Sequence, residues 1–290
     1  MDQVILLKSY ILFLGSVIKK VNSKLMNSFN SRILKEIEDK QSHLCVGLDI
    51  NPENFDNANP SIDDLKNHTY KVIDATRDIA VAYKPNLAFF ERWGSKGFQW
   101  LEETMEYIGS DVITVGDAKR GDIGNTAKQY AMSLFDHFGF DSVTLSPFLG
   151  LDSIKPFVDN PNKGAFILCR TSNSSASEIQ DMSLESKELL YEQIAKLAVK
   201  WNENDNVGLV VGATVPEEIN RVREIAHNLP LLIPGIGAQG GDLKKSMKYG
   251  NQNGVALINI SRGISYAGDL SEKSIRKSAL EYLDKMRDLS

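Results

Sequence analysis

The sequence predicts an α/β fold, a (β/α)8 TIM barrel with an N-terminal helical extension. Three observations lead there. From Leu44 onward short apolar runs alternate with amphipathic segments, eight such pairs follow in succession, and no Pro/Gly/Ser-rich linker divides them. Near-continuous apolar strands alternating with helices imply a parallel sheet covered by helices. Eight strand–helix units in a row suit a closed barrel, which commonly takes about 250 residues as one domain. The chain has 290 residues, so residues 1–30 read as an extension and 31–290 as a single catalytic barrel.

The elements follow in order. Strands are expected at Leu44–Leu48, Val81–Lys84, Val112–Val115, Ser142–Leu145, Ala165–Leu168, Val207–Val211, Leu231–Ile233 and Val255–Ile258. The amphipathic segments Ile62–Ala80, Trp93–Ile108, Asn125–Phe138, Leu151–Val158, Leu184–Asn202, Glu217–Asn228, Asp242–Tyr249 and Ser271–Leu289 supply the helices. Thr214 and Glu217 have capping-box spacing and Pro216 falls in the first turn, which marks one helix start.

The N-terminal stretch stands apart. Val4–Ile18 is apolar but carries Lys8 and falls short of the roughly 20 residues a spanning helix needs. Asp2 and the lack of early basic residues fit a signal peptide poorly. It reads as a helix lying on the barrel or exchanged between subunits, with a weak membrane or organelle-targeting role as the alternative.

Bulk properties narrow the function. A hydrophobic fraction of 42% supports a sizeable core, and a net charge of −5 argues against a general nucleic-acid surface. An anionic substrate would have to be gripped locally, by a few cations or backbone amides. Cys45 and Cys169 lie in apolar runs and read as reduced, buried thiols of a cytoplasmic protein. The four histidines show no zinc spacing, and no Walker A or first-strand Rossmann pattern is present.

The polar residues gather at strand ends. Asp49 follows the first strand, Lys84 and Asn86 the second, Asp117 and Lys119 the third, and Thr171 and Ser172 the fifth. Gly235–Gln239 follows the seventh and Ser261-Arg262-Gly263 the eighth. Active sites of such barrels are built from these carboxyl-end loops. Pro234-Gly235-Ile236-Gly237-Ala238-Gln239-Gly240-Gly241 offers backbone N–H groups before a helix and, with Arg262, resembles a phosphate site. A plain tight turn is the alternative for the glycines. Asp117 and Lys119 are two residues apart and point the same way from one strand. The carboxylate would keep the ammonium protonated and poised as a donor, with Lys84 holding Asp117. A structural ion pair explains the spacing equally well.

The run Asp117-Ala118-Lys119-Arg120-Gly121-Asp122-Ile123-Gly124-Asn125-Thr126 resembles the active-site signature of the orotidine 5′-monophosphate decarboxylase family. Gly47-Leu48-Asp49, Tyr83-Lys84-Pro85-Asn86, Thr144-Leu145-Ser146-Pro147, Pro234-Gly235-Ile236-Gly237 and Ser261-Arg262-Gly263 match in order and spacing. The resemblance runs from about Leu44 to the C-terminus, and Cys169-Arg170-Thr171-Ser172-Asn173 looks like a bacterial and protozoan branch. It implies decarboxylation of orotidine 5′-phosphate to UMP, the last step of pyrimidine synthesis, without metal or cofactor. Lys119 would protonate the C6 carbanion within a Lys84–Asp117–Lys119–Asp122 array, Asp122 coming from the partner of a homodimer. Asp49 and Lys84 would bind the ribose, with Asn86 nearby and the partner's Thr126 reaching in. Ser172, with Thr171 beside it, would read the pyrimidine edge. Pro234 and Ile123 from the partner would wall the ring, and Gln239, Gly240 and Arg262 would hold the phosphate. No phosphoribosyltransferase domain is present, so association with a separate orotate phosphoribosyltransferase is the remaining partner expectation, with no nucleic acid and no membrane.

Two rivals stand beside this reading. A related phosphosugar decarboxylase or aldolase shares the Asp-x-Lys-x-x-Asp core but uses Mg²⁺, and a carboxylate would be expected where Lys84 stands. A catalytically silent nucleotide-binding barrel is the other.

Overall fold

The eight strands pair in parallel, each with its neighbours in sequence order, and β1 closes on β8. The structure is a computed structural model that describes residues 28–55, 59–237 and 239–289. The reading of Val4–Ile18 as a helix therefore lies outside the described residues. The strands are β1 (Leu44–Leu48), β2 (Ala82–Pro85), β3 (Ile113–Arg120), β4 (Ser142–Leu145), β5 (Gly164–Arg170), β6 (Val207–Val211), β7 (Leu231–Pro234) and β8 (Ala256–Ile260). All eight expected strands are present. β3 and β5 run further than the apolar runs suggested, to Arg120 and Arg170, each through a register shift. The two arginines can end these strands because each finds a carboxylate: Arg120 donates to Glu91 at 2.6 Å and the buried Arg170 to Asp181 at 3.0 Å.

The strands alternate between two apolar layers. Leu44, Val46, Leu231, Ile233, Ile258 and Ile260 pack outward against the helices. Cys45, Ala82, Ile113, Val115, Phe166, Val210, Leu232 and Leu257 point into the barrel. Both cysteines are buried and free, as expected. Burial pushes the Cys45 thiol up to about 12, so it stays protonated.

A helix unmarked in the sequence reading, Phe29–Lys40, closes the amino end of the barrel. Ser28 caps it by accepting from the Ser31 N–H, and Phe29, Ile33 and Ile37 join the interior layer. The Phe29 ring meets Phe166 edge-on at 6.1 Å, and it lies so close to Gly164 that a Cβ there would collide with it. Residues 28–30, read as extension, thus belong to this plug.

Several helix expectations need correction. The helix expected over Leu184–Asn202 begins at Leu190, because Leu184–Glu188 folds as a turn with Lys187 left-handed at φ 66°. The one expected to end at Ala80 stops at Thr76. The segment Asn125–Phe138 is α-helical from Gly124 to Met132 and finishes as a π turn over Ser133–His137. The Thr214–Glu217 capping box is absent, although Pro216 does open its helix. Val215 is the cap residue, and the Thr214 hydroxyl instead donates to the Ser172 carbonyl at 3.3 Å, tying two rim loops together.

Candidate active site

The carboxyl ends of the strands surround a cavity of about 460 Å³. Strand parity explains its lining. Lys84 is two residues beyond inward-facing Ala82, Asp117 two beyond Val115, and Asn259 two beyond Leu257, so all three face the axis. Apolar side chains fill the interior below, and charge begins where the barrel opens.

Asp117 is the hub. Its Oδ2 accepts from Lys84 Nζ at 2.7 Å, and its Oδ1 accepts from Lys119 Nζ at 2.6 Å and from the Thr144 hydroxyl at 3.0 Å. Asp49 stands on the other side of Lys84, at 3.8 Å. Burial alone would drive Lys84 towards its neutral form, but the carboxylates of Asp117 and Asp49 outweigh it and hold the pKa above the ordinary lysine value. Burial likewise opposes the charge on Asp117, and the two ammonium groups reverse that and keep it well below the usual carboxylate range. The result is a buried cation and anion, with a second cation, Lys119, whose side chain remains 51% exposed.

Asp117 and Lys119 converge as their spacing suggested, but by a different route. Lys119 is left-handed, with φ 46°, inside the register shift between β3 and β4. Its position comes from a bulge rather than from simple pleat alternation.

The rim opposite is polar. The Ser172 hydroxyl donates to Gln239 Oε1 at 2.9 Å, joining the loops after β5 and β7. Arg262 opens the short helix Arg262–Ser265 beside them, and Pro234 and Gly235 line the same wall. The glycine turn departs from expectation in one respect. The N–H groups of Gly240 and Gly241 donate to the carbonyls of Gly237 and Gly235, and Asp242 caps the next helix, so these donors are already engaged. Gly235, Gly237 and Gly240 have φ of 109°, 79° and 77°, which is why glycine recurs. Asn86 lines the cavity while its Oδ1 accepts from the Ala88 N–H.

A family model described as Orotidine 5'-phosphate decarboxylase / HUMPS family matches residues 42–276. The chain belongs to this family. An orotidine 5'-phosphate decarboxylase of Halorubrum lacusprofundi is 47% identical over 255 residues, covering 85% of this chain and 90% of the relative. One from Dehalococcoides mccartyi is 46% identical over 253 residues, 86% of this chain and 92% of the relative. Among solved structures, a putative orotidine-monophosphate-decarboxylase from Toxoplasma gondii superposes with TM-score 0.84 at 33% identity, over 91% of this chain and 97% of that one. Leishmania donovani UMP synthase gives TM-score 0.82 at 38% identity over 90% of this chain, which spans 56% of that longer protein.

The family signature itself divides in space. Lys84, Asp117, Lys119, Asp49, Asn86, Thr171, Ser172, Pro234, Gln239 and Arg262 share the cavity. Asp122, Ile123, Thr126 and Gly240 do not line it. Asp122 accepts from its neighbour's N–H, that of Ile123, at 2.8 Å, and Ile123 is 55% exposed. The cavity residues given no role from sequence include Thr144, noted only within its matching run, and Asn259 and Gln180, which the sequence reading misses. Parity would have found the first two; Gln180 lies beyond β5 in a segment without periodicity and reaches back to accept from the Thr171 N–H at 2.8 Å. Among the described residues no group of three or more His, Cys, Asp or Glu is placed to hold a metal ion.

Proposed function

We propose that the chain converts orotidine 5′-phosphate to UMP and CO₂, with Lys119 as the proton donor. The observation that carries this is the Lys84–Asp117–Lys119 array at the mouth of the barrel of a family member. The C6–carboxylate bond breaks, CO₂ leaves, and the electron pair stays on C6. The Lys119 ammonium stabilises that charge and then transfers a proton to the carbon. Asp117 holds the Lys119 ammonium in place until that moment, at 2.6 Å, and solvent restores the proton afterwards. Enzymes lower such barriers by about 8–23 kcal/mol, and a preorganised charge array at the barrel mouth is the means available here.

The other roles follow from position. Asp49 Oδ1 is buried without a hydrogen-bond partner, a vacant acceptor that suits a ribose hydroxyl beside Lys84 and Asn86. Ser172, with Thr171, reads the pyrimidine edge, Pro234 walls the ring, and Gln239 and Arg262 hold the phosphate; Gly240, its N–H engaged by the Gly237 carbonyl, shapes the turn. Asp122, Ile123 and Thr126 act across a homodimer. In support, they do not line their own cavity, and Ile123 (55%) is among the exposed apolar side chains, with Phe148 (85%), Leu149 and Leu151. An orotate phosphoribosyltransferase would supply the substrate, and co-sedimentation of the two proteins tests whether they associate.

The deciding experiment follows the orotate chromophore on adding orotidine 5′-phosphate in excess EDTA. Its loss with appearance of UMP supports the reading. No change, followed by turnover of a sugar phosphate with Mg²⁺, moves the chain to the other branch of the family. For the shared site, mixing inactive Lys119→Ala and Asp122→Ala subunits restores activity, and proven heterodimers without activity would refute it.

A further inference from the structure

The Thr144 hydroxyl touches both members of the central ion pair. Thr144 lies on β4 and is 1% exposed. Its Oγ1 accepts from the Lys119 backbone N–H at 3.0 Å and donates to Asp117 Oδ1 at 3.0 Å. One hydroxyl thus pins the strained backbone of the lysine and orients the carboxylate that the lysine ammonium reaches. A left-handed conformation is unfavourable for lysine and persists where its surroundings over-determine it. Thr144 supplies that constraint from the neighbouring strand. A hydroxyl has one proton and two lone pairs, so it can serve both partners at once.

We infer that Thr144 is a positioning residue for the reaction: its hydroxyl holds the β3 bulge in the form that aims Lys119 into the cavity beside Asp117. This rests on the reading of Lys119 as proton donor. Valine at this position keeps the branched shape and loses both hydrogen bonds, whereas serine keeps both. Loss of the bonds lets the bulge relax, and displacement of a reacting group by about 1 Å costs up to about 100-fold in rate. Substrate binding depends on other walls of the cavity and is expected to stay.

The test compares steady-state kinetics and UMP affinity for wild type, Thr144→Val, Thr144→Ser and Lys119→Ala. Thr144→Val is expected to lower kcat by about 10–100-fold with KM and UMP affinity little changed, and Thr144→Ser to keep most of the wild-type kcat. Should the valine variant be insoluble, Thr144→Ala removes the same hydroxyl with less bulk. A folded variant lacking the hydroxyl but turning over at the wild-type kcat overturns the inference, as does a serine variant as slow as the valine one. If Lys119→Ala itself remains active, the proton-donor reading fails first and takes this inference with it. If Lys119→Ala is dead and Thr144→Val turns over at the wild-type kcat, Thr144 alone is excluded.

Discussion

The two ends of the barrel bury cations in opposite ways. At the carboxyl end Lys84 is surrounded by carboxylates, and its charge is held more firmly than in water. Near the amino end Arg223 is 2% exposed and, among the described residues, meets only neutral partners: its guanidinium donates to the carbonyls of Ala226, His227, Leu229, Gly250 and Val255 at 2.5–3.1 Å. Burial there lowers the arginine pKa to about 10, since carbonyl dipoles compensate desolvation less fully than a formal charge does. The carbonyls Arg223 gathers come from the loops that lead into β7 and β8, so it ties the chain together where those strands begin. The difference teaches what each charge is for. A cation satisfied by carbonyls is committed to the fold, whereas cations sharing one carboxylate leave Lys119 free to face the cavity.

Four measurements sharpen or break that contrast. The largest effect is expected at the rim: Lys119→Ala should lower turnover by at least about 10³-fold. Because that side chain is half exposed, the urea midpoint should barely move; a large loss of stability would erase the distinction. Arg223→Met should do the reverse, costing at least about 3 kcal/mol by stranding buried carbonyls, while kcat per folded molecule stays at the wild-type value. An activity loss without destabilisation would show that the amino end communicates with the site.

The pH dependence is smaller and has a definite sign. Asp117 is depressed in the folded state, so its stabilisation is complete above the unfolded carboxylate value, about pH 4, and is lost as pH falls through the folded value. Lys84 is raised, so its share is complete below the unfolded lysine value, about pH 10.4, and is lost as pH rises through the folded value. The stability difference between wild type and a Lys84→Met, Asp117→Asn double variant should therefore be flat across about pH 5–9 and change outside it. A slope within that window would mean the array titrates where it is meant to stay charged. The smallest effect belongs to Asp78→Ala, which removes the bidentate surface pair with Arg276 at 2.5 and 2.8 Å. About 0–1 kcal/mol is expected from such an exposed pair, and thermal melts at low and high salt check it.

Much of this molecule is determined by the sequence alone. Alternation of apolar runs with amphipathic segments specifies eight strands and their order, because a parallel strand buried on both faces must be apolar along its length. The strand-end positions of Lys84, Asp117 and Lys119 follow from the same pattern. Tertiary structure decided what depends on chain segments distant in sequence. The plug Phe29–Lys40 is a helix by local pattern, but only the barrel's open amino end gives Phe29, Ile33 and Ile37 somewhere to bury. Thr214 has capping-box spacing, yet a carbonyl from the neighbouring rim loop claimed its hydroxyl. Lys119 reaches Asp117 through a bulge held by Thr144, a residue 25 positions away. Strand identity is a property of local hydrophobic spacing; hydrogen bonds at a rim are settled among competing partners that only the closed barrel brings within reach.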